Sequence, residues 1–168
     1  MIHVCSLARL HETVETCGAR HVVTLLKDTD LVRRPDGIAA DNHLILGMDD
    51  IAEPLDGHVA PADEHLTRLI AFVRAWDRAN PLVVHCYAGI SRSTAGAYVA
   101  ACALNPGRSE LAIAQDLRRL SVTASPNPRI VSIADRMLGR SGRMVKAITT
   151  IGRGMVAYEA DPFRLDLE

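Results

Sequence analysis

Four short runs of apolar and β-branched residues punctuate the chain: Ile2–Cys5, His21–Leu26 (HVVTLL), His43–Leu46 and Leu82–His85 (LVVH). Each is bounded by polar or turn-forming residues, so each is predicted to be a strand. The last is apolar at successive rather than alternate positions, the pattern of a strand covered on both faces. Elsewhere the apolar period is helical. Ser6 is placed to cap a helix that runs to about Cys17, with Gly18 in the stop position. After Pro61, Leu66, Leu69, Ile70, Val73 and Trp76 recur at helical spacing until Asn80-Pro81 breaks the pattern. Ser91–Leu104 reads as helix, with Ala95, Gly96, Ala97 and Ala100 leaving room for close packing, and Asn105-Pro106-Gly107 ends it. Ser109 opens the next helix, 109–120, with half a capping box, since Ala112 stands where Glu or Gln would complete it. Helical patterns follow at 128–138 and 143–151. Strands alternate with helices early, and helices alone fill the later half. This predicts an α/β fold: a mostly parallel sheet of about four to five strands flanked by helices, with a helical C-terminal half. Two loops are long. Lys27–Ala40 is polar and turns at Pro35-Asp36-Gly37; Gly47–Ala60 is acidic and of a length usually tied to function.

The 168 residues fit one domain, 1–168, large enough to bury a real core. Apolar residues make up 48% and charged residues 23%, which is globular composition. Aromatics are only 4%, so the core is aliphatic and Ala-rich and no stacking platform for nucleic acid is expected. A net charge of −1 removes bulk attraction to nucleic acid or an anionic membrane. The charge is uneven, however. Asp28–Glu64 carries ten acids against two bases, and Arg118–Arg153 eight bases against Asp135 alone. Two readings stand: two solvated faces, or a positive face that attracts an anionic substrate. Cys5, Cys17, Cys86 and Cys102 show no CxxC or disulfide-framework spacing, and the first three or so turns of sequence lack the pattern of a signal peptide. The longest apolar run, Ala95–Leu104, is too short to span a bilayer. A reduced, cytoplasmic protein is expected. His58 and His65 are seven apart and no HExxH occurs, so neither metal nor cofactor is expected.

The chemistry concentrates in Leu82–Ser93, LVVHCYAGISRS. A buried strand there runs into a loop that opens a helix. Such a loop turns successive backbone N–H groups inward as an anion nest, and the helix start near Arg92 adds positive potential. Gly89 can take positive φ and let the backbone approach a ligand. Arg92 offers a planar fork for two oxygens of one anion. Cys86, at the base of the ring, is placed to react as a thiolate nucleophile on a bound phosphoryl group.

The nine residues His85-Cys86-Tyr87-Ala88-Gly89-Ile90-Ser91-Arg92-Ser93 resemble the phosphate loop of the cysteine-dependent protein tyrosine phosphatase superfamily, His-Cys-x5-Arg-Ser/Thr, and the Ser-Arg-Ser ending is closest to the compact dual-specificity-like and bacterial members. The resemblance continues in HLILGMDD at 43–50, in the helix at 61–79 and in Pro126-Asn127, and so covers about 40–140. It implies that Cys86 forms a phosphocysteine. It implies that Arg92 and the N–H groups of Tyr87, Ala88, Gly89, Ile90, Ser91 and Arg92 hold the phosphoryl oxygens. Ser93 would hydrogen-bond the sulfur, and His85 would orient the loop and favour the thiolate. An Asp would protonate the leaving oxygen. Asp50 fits the local pattern best, although it lies 36 residues before Cys86; Asp49 and Asp56 are the alternatives. No Trp-Pro-Asp lid motif occurs, and Trp76 is read as core. Tyr87 lines the rim or packs. The loop carries no Lys of the kind that reads phosphoinositides, which disfavours a lipid phosphate. Arg118, Arg119 and Arg129 are read first as helix-surface residues and second as a grip on another anion.

The expected activity is therefore metal-free hydrolysis of phosphotyrosine, or of all three phosphorylated residues, on a phosphoprotein or phosphopeptide. Two rivals stay open: a phospho-residue binding module without a working acid, and a sulfurtransferase of the rhodanese kind, which also starts its loop with Cys.

Overall fold

The computed structural model describes residues 1–167. Its elements are β1 (Ile2–Ser6), α1 (Leu10–Cys17), β2 (His21–Leu25), β3 (His43–Leu46), α2 (Asp63–Ala75), β4 (Leu82–Cys86), α3 (Arg92–Leu104), α4 (Glu110–Leu120), α5 (Pro128–Met137), α6 (Arg143–Ile151) and β5 (Phe163–Leu165). The strands form one sheet in the order β3-β2-β4-β1-β5. The first four are mutually parallel, and β5 runs antiparallel to β1. The α/β architecture with a helical second half is the one the sequence pattern predicts.

The continuous apolar run of β4 is explained by its place at the centre of the sheet. All five of its residues are buried. Alternate strand positions face opposite layers. Val4, Val23, Leu25, Leu82, Val84 and Cys86 belong to the larger core, shared with α2–α6. Cys5, Val22 and Val83 face the smaller core under α1. Helix α3 is buried along nearly its whole length. Gly96 lets it sit tight on the sheet: a Cβ there would lie 2.6 Å from Leu25 Cδ1 and 3.1 Å from Val84 Cγ1. Trp76 is core, as read, and its Nε1 donates to the Asn80 carbonyl.

Three local readings change. Ser6 does not start a helix; it ends β1 in register with Cys86, and α1 begins only at Leu10 after a turn closed by Leu10 N–H to Leu7 O. Pro61 precedes α2, whose first residue is Asp63, rather than opening it. Strand β5 was not expected, because Phe163-Arg164-Leu165 is too short to show a period. Gly18 at φ 67° and Ser109, whose Oγ accepts from Ala112 N–H, cap their helices as anticipated.

The Arg-rich last third holds the helical layer together from inside. Arg140 is buried and donates to Glu110 Oε1 at 2.9 Å, to the Cys102 carbonyl at 2.6 Å and to the Pro106 carbonyl at 3.2 Å. Arg118 donates to the carbonyls of Ala124, Ile151 and Gly152. Arg119 pairs with Asp116. Much of the positive charge is thus structural. Removing one partner of a buried ion pair leaves the other charge uncompensated. Arg140→Met is therefore expected to lower unfolding free energy by about 3 kcal/mol, the low end of the usual range because Arg143 still reaches Glu110 at 3.1 Å. The double variant Glu110→Leu/Arg140→Met should lose less, and urea midpoints compare the two.

Candidate active site

Strand β4 delivers Cys86 to the C-terminal ends of the parallel strands, and α3 starts six residues later at Arg92. What the intervening loop does depends on where its carbonyls go. Tyr87 O accepts from Leu7 N–H at 3.1 Å, and Ala88 O from Ala160 N–H at 2.9 Å. Ile90 O accepts from Ser125 N–H at 3.0 Å, and Ser91 O from Asn127 N–H at 3.3 Å. Four carbonyls are therefore held by donors outside the loop. In a planar trans peptide, the N–H of the next residue points the opposite way. The N–H groups of Ala88, Gly89, Ser91 and Arg92 are thereby turned inward. Those of Ala88–Ser91 donate to no acceptor among the described residues. A concave ring of free amides at a helix start is an anion site.

Gly89 is required twice. Its φ is +75°, and a Cβ would lie 2.9 Å from Cys5 C and from Ser6 N. Arg92 is only 8% exposed. Its Nη1 donates to Met48 O at 2.7 Å, and its buried Nε has no partner among the described residues. A buried guanidinium donor left open is costly, and an anion in the ring is the acceptor that suits it. Cys86 lies at the base of the ring, 2% exposed, with its Sγ 3.1 Å from Ser93 Oγ. Tyr87 is 63% exposed and stands on the rim.

Of the three candidate acids, only Asp50 is brought to the loop. Ser91 Oγ donates to its Oδ1 at 2.7 Å and Asn127 Nδ2 at 2.8 Å. Both bonds land on one oxygen, and Oδ2 has no partner among the described residues. Asp49 is used elsewhere: its Oδ2 accepts Val59 N–H at 2.7 Å and lies 3.3 Å from Lys27 Nζ. The Val59 amide, helped by Lys27, holds its carboxyl below the usual carboxylate range. Asp56 is exposed, and only its backbone carbonyl is engaged, by His58.

Asn127 explains why the Pro-Asn pair matters. Its Oδ1 accepts from Arg129 N–H at 3.0 Å and Ile130 N–H at 3.1 Å and so caps α5, with Pro128 in the first turn. That fixes the amide's orientation and leaves Nδ2 for Asp50 and the Ile51 carbonyl. Arg129 Nε donates to Pro61 O at 2.7 Å, on the same side as this acid segment.

His85 is fully buried. Its Nε2 lies 2.7 Å from Thr24 Oγ1, which lies 2.8 Å from His43 Nε2. Burial depresses the His85 imidazole to about 4, so it is neutral through the ordinary pH range. Burial pushes the Cys5 and Cys102 thiols up to about 12, which makes them inert packing residues. Sequence reasoning missed Thr24 and His43. The available signal was a lone hydroxyl inside the apolar run HVVTLL. It also missed the contact from Ala160, a donor more than 70 positions from the loop with no marker of its own.

Residues 54–121 match the family model for protein-tyrosine phosphatase, a segment that spans β4, the loop, α3 and α4. The fold is that of the cysteine-dependent tyrosine phosphatases. Cydia pomonella PTP-2 phosphatase superposes with a TM-score of 0.63 at 19% identity, over 80% of this chain and 84% of that one. Human DUSP28 does so with 0.61 at 19%, over 90% and 95%. The human tyrosine phosphatase-like serine/threonine/tyrosine-interacting protein gives 0.61 at 16%, over 83% and 92%. The sequence matches no curated protein. The matched segment begins after Asp50, which is placed by the geometry above and not by the family model.

Two outcomes follow for the loop between β4 and α3. Gly89→Ala should weaken tungstate binding at least tenfold, measured by calorimetry, because the loop cannot keep its curvature beside Cys5 and Ser6. For His85, the unfolded chain takes up a proton near 6.5 and the folded chain only near 4. Its contribution is fully present above about 6.5 and is lost as pH falls toward 4, by about 3 kcal/mol in total. The stability difference between wild type and His85→Asn should show that slope in urea titrations between those pH values and be flat above.

Proposed function

We propose that this protein hydrolyses phosphate monoesters of phosphotyrosine, alone or with phosphoserine and phosphothreonine, on proteins or peptides through a phosphocysteine. The whole chain is read as one phosphatase-like domain. Its free cysteines suit a reducing, cytoplasmic compartment. No helix among the described residues is long and apolar enough to cross a membrane.

The observation that carries this reading is the ring of inward amides closed by an Arg92 donor without an acceptor, with Cys86 beneath it and Asp50 beside it. The phosphoryl group would sit in the ring, its equatorial oxygens on the amides and the guanidinium, where charge is spread in the transition state. Cys86 Sγ would attack phosphorus, forming the S–P bond as the P–O bond to the leaving group breaks. The proton for that oxygen would come from Asp50 Oδ2, the atom left free while Oδ1 is held by Ser91 and Asn127. In the second step Asp50 would take a proton from water as the water oxygen bonds phosphorus and the sulfur leaves. The Ser93 hydroxyl, 3.1 Å away, would donate to that departing sulfur. Met48 O on Arg92 ties the acid segment to the ring, so substrate binding and protonation share one scaffold.

Cys86→Ser should abolish turnover of p-nitrophenyl phosphate while tungstate still binds, and full activity in that variant would end the mechanism. Asp50→Asn should lower kcat by roughly 10²-fold, a typical size for a lost general acid, and by more with phenyl phosphate, a poorer leaving group. Asp49→Asn and Asp56→Asn should stay close to wild type. Wild-type protein that binds tungstate yet hydrolyses nothing above background would instead be a phospho-residue binding module. Thiosulfate–cyanide turnover exceeding ester hydrolysis would indicate sulfur transfer.

A further inference from the structure

Thr24 is the one hydroxyl residue of β2, and it is fully buried, on the same face of the strand as Val22. It stands in register with His85 across the β2–β4 pair. A buried hydroxyl without partners is unfavourable, and this one has two: His85 Nε2 at 2.7 Å and His43 Nε2 at 2.8 Å. On its other side His85 places Nδ1 3.4 Å from the Cys86 backbone oxygen, a long contact. These contacts fix where the protons are. A carbonyl oxygen only accepts, so His85 Nδ1 carries the hydrogen. In a neutral imidazole Nε2 is then a bare acceptor, and it takes the single Thr24 O–H. With its hydrogen spent, the Thr24 oxygen accepts from His43 Nε2–H. The order is His43 N–H to Thr24, Thr24 O–H to His85, and His85 N–H to the carbonyl of Cys86.

We propose that Thr24 and His43 are positioning residues of the phosphate loop, which fix the His85 tautomer so that its Nδ1–H turns the Cys86 carbonyl outward and the Tyr87 amide into the anion site. This rests on the reading of 86–92 as a phosphate loop and adds to it. The carbonyls of Tyr87, Ala88, Ile90 and Ser91 are held by backbone donors. Cys86 is the remaining nucleophile-side peptide; it pairs with Ser6 at the end of the β1–β4 ladder, and His85 adds a side-chain donor to its carbonyl. The same plane argument that turns the other amides inward applies to Tyr87 N–H. Thr24 and His43 touch neither sulfur nor substrate; they act through His85.

Burial, first of all, keeps the relay neutral, and the nearby charges add to it: His43, His11 and Arg92 disfavour a proton on His85, and Arg34 disfavours one on His43. The relay is therefore a fixed prop rather than a pH switch. Protonation of His43 would leave its Nε2–H donor in place.

The test uses full-length protein labelled with nitrogen-15 histidine. Long-range proton–nitrogen correlation should show His85 protonated at Nδ1 and bare at Nε2, and His43 protonated at Nε2. The opposite tautomer of His85 overturns the proposal. Thr24→Val removes the hydroxyl with little change of shape and should weaken tungstate binding about tenfold, the effect of one lost hydrogen bond, and lower kcat with it. Thr24→Ser, which restores the hydroxyl, should recover both. Unchanged tungstate affinity in a folded Thr24→Val variant overturns the proposal. If that variant does not fold, the wild-type tautomers decide. Neither the tautomers nor tungstate binding requires turnover. A wild-type protein with the expected tautomers, weakened tungstate binding in Thr24→Val and no hydrolysis would sustain the positioning role while the hydrolase reading fails.

Discussion

The site depends on the rigidity of the peptide plane. The five-residue loop between β4 and α3 has no side chain that could force four amides toward one point. Its carbonyls are captured instead, by β1's trailing residue Leu7, by Ser125 and Asn127 before α5, and by Ala160 near the end of the chain. Each capture rotates one peptide and so aims one N–H inward. The anion site is thus built from behind, by elements that never meet the ligand. Because these dipoles are set before a ligand arrives, they need no reorganisation when charge develops in the transition state.

The same economy governs the acid. Asn127 uses its oxygen to cap α5 and its nitrogen to hold Asp50, while Ser91 uses its hydroxyl on Asp50 and its carbonyl within the start of α3. Helix start, loop and acid share the same atoms. Arg92 adds a third tie through Met48 O. A shift in any one of these elements would move the Asp50 carboxylate relative to the Cys86 sulfur.

How much of this was legible in the sequence follows from the range of each interaction. The first four strands and the helices were readable because period and capping are local: Gly18, Ser109 and the Asn105-Pro106-Gly107 stop all act within a few residues. The loop was readable because Cys86, Gly89, Arg92 and Ser93 are close in sequence and each has a chemical reason to be there. Asp50 was only one of three candidates, since spacing cannot tell a carboxylate held by Ser91 and Asn127 from one neutralised by Lys27 or left in solvent. Thr24 and His43 lie 61 and 42 residues before His85 and meet it only through the parallel register of the sheet. The basic last third misled in the other direction: Arg118 and Arg140 look like surface charge, but their acceptors are internal carbonyls and Glu110.

The contact from Ala160 N–H to Ala88 O has a temporal consequence. Translation proceeds from the N-terminus, so Asp50, Cys86 and Arg92 all leave the ribosome well before the residue that clamps Ala88. A nascent chain that has not yet released Ala160, with β5 still unpaired from β1, lacks one of the four clamps behind the loop. Its thiol exists, but the amide that the clamp orients does not yet face it. The loop of a growing polypeptide therefore reaches its final shape only after the segment around Ala160 has docked.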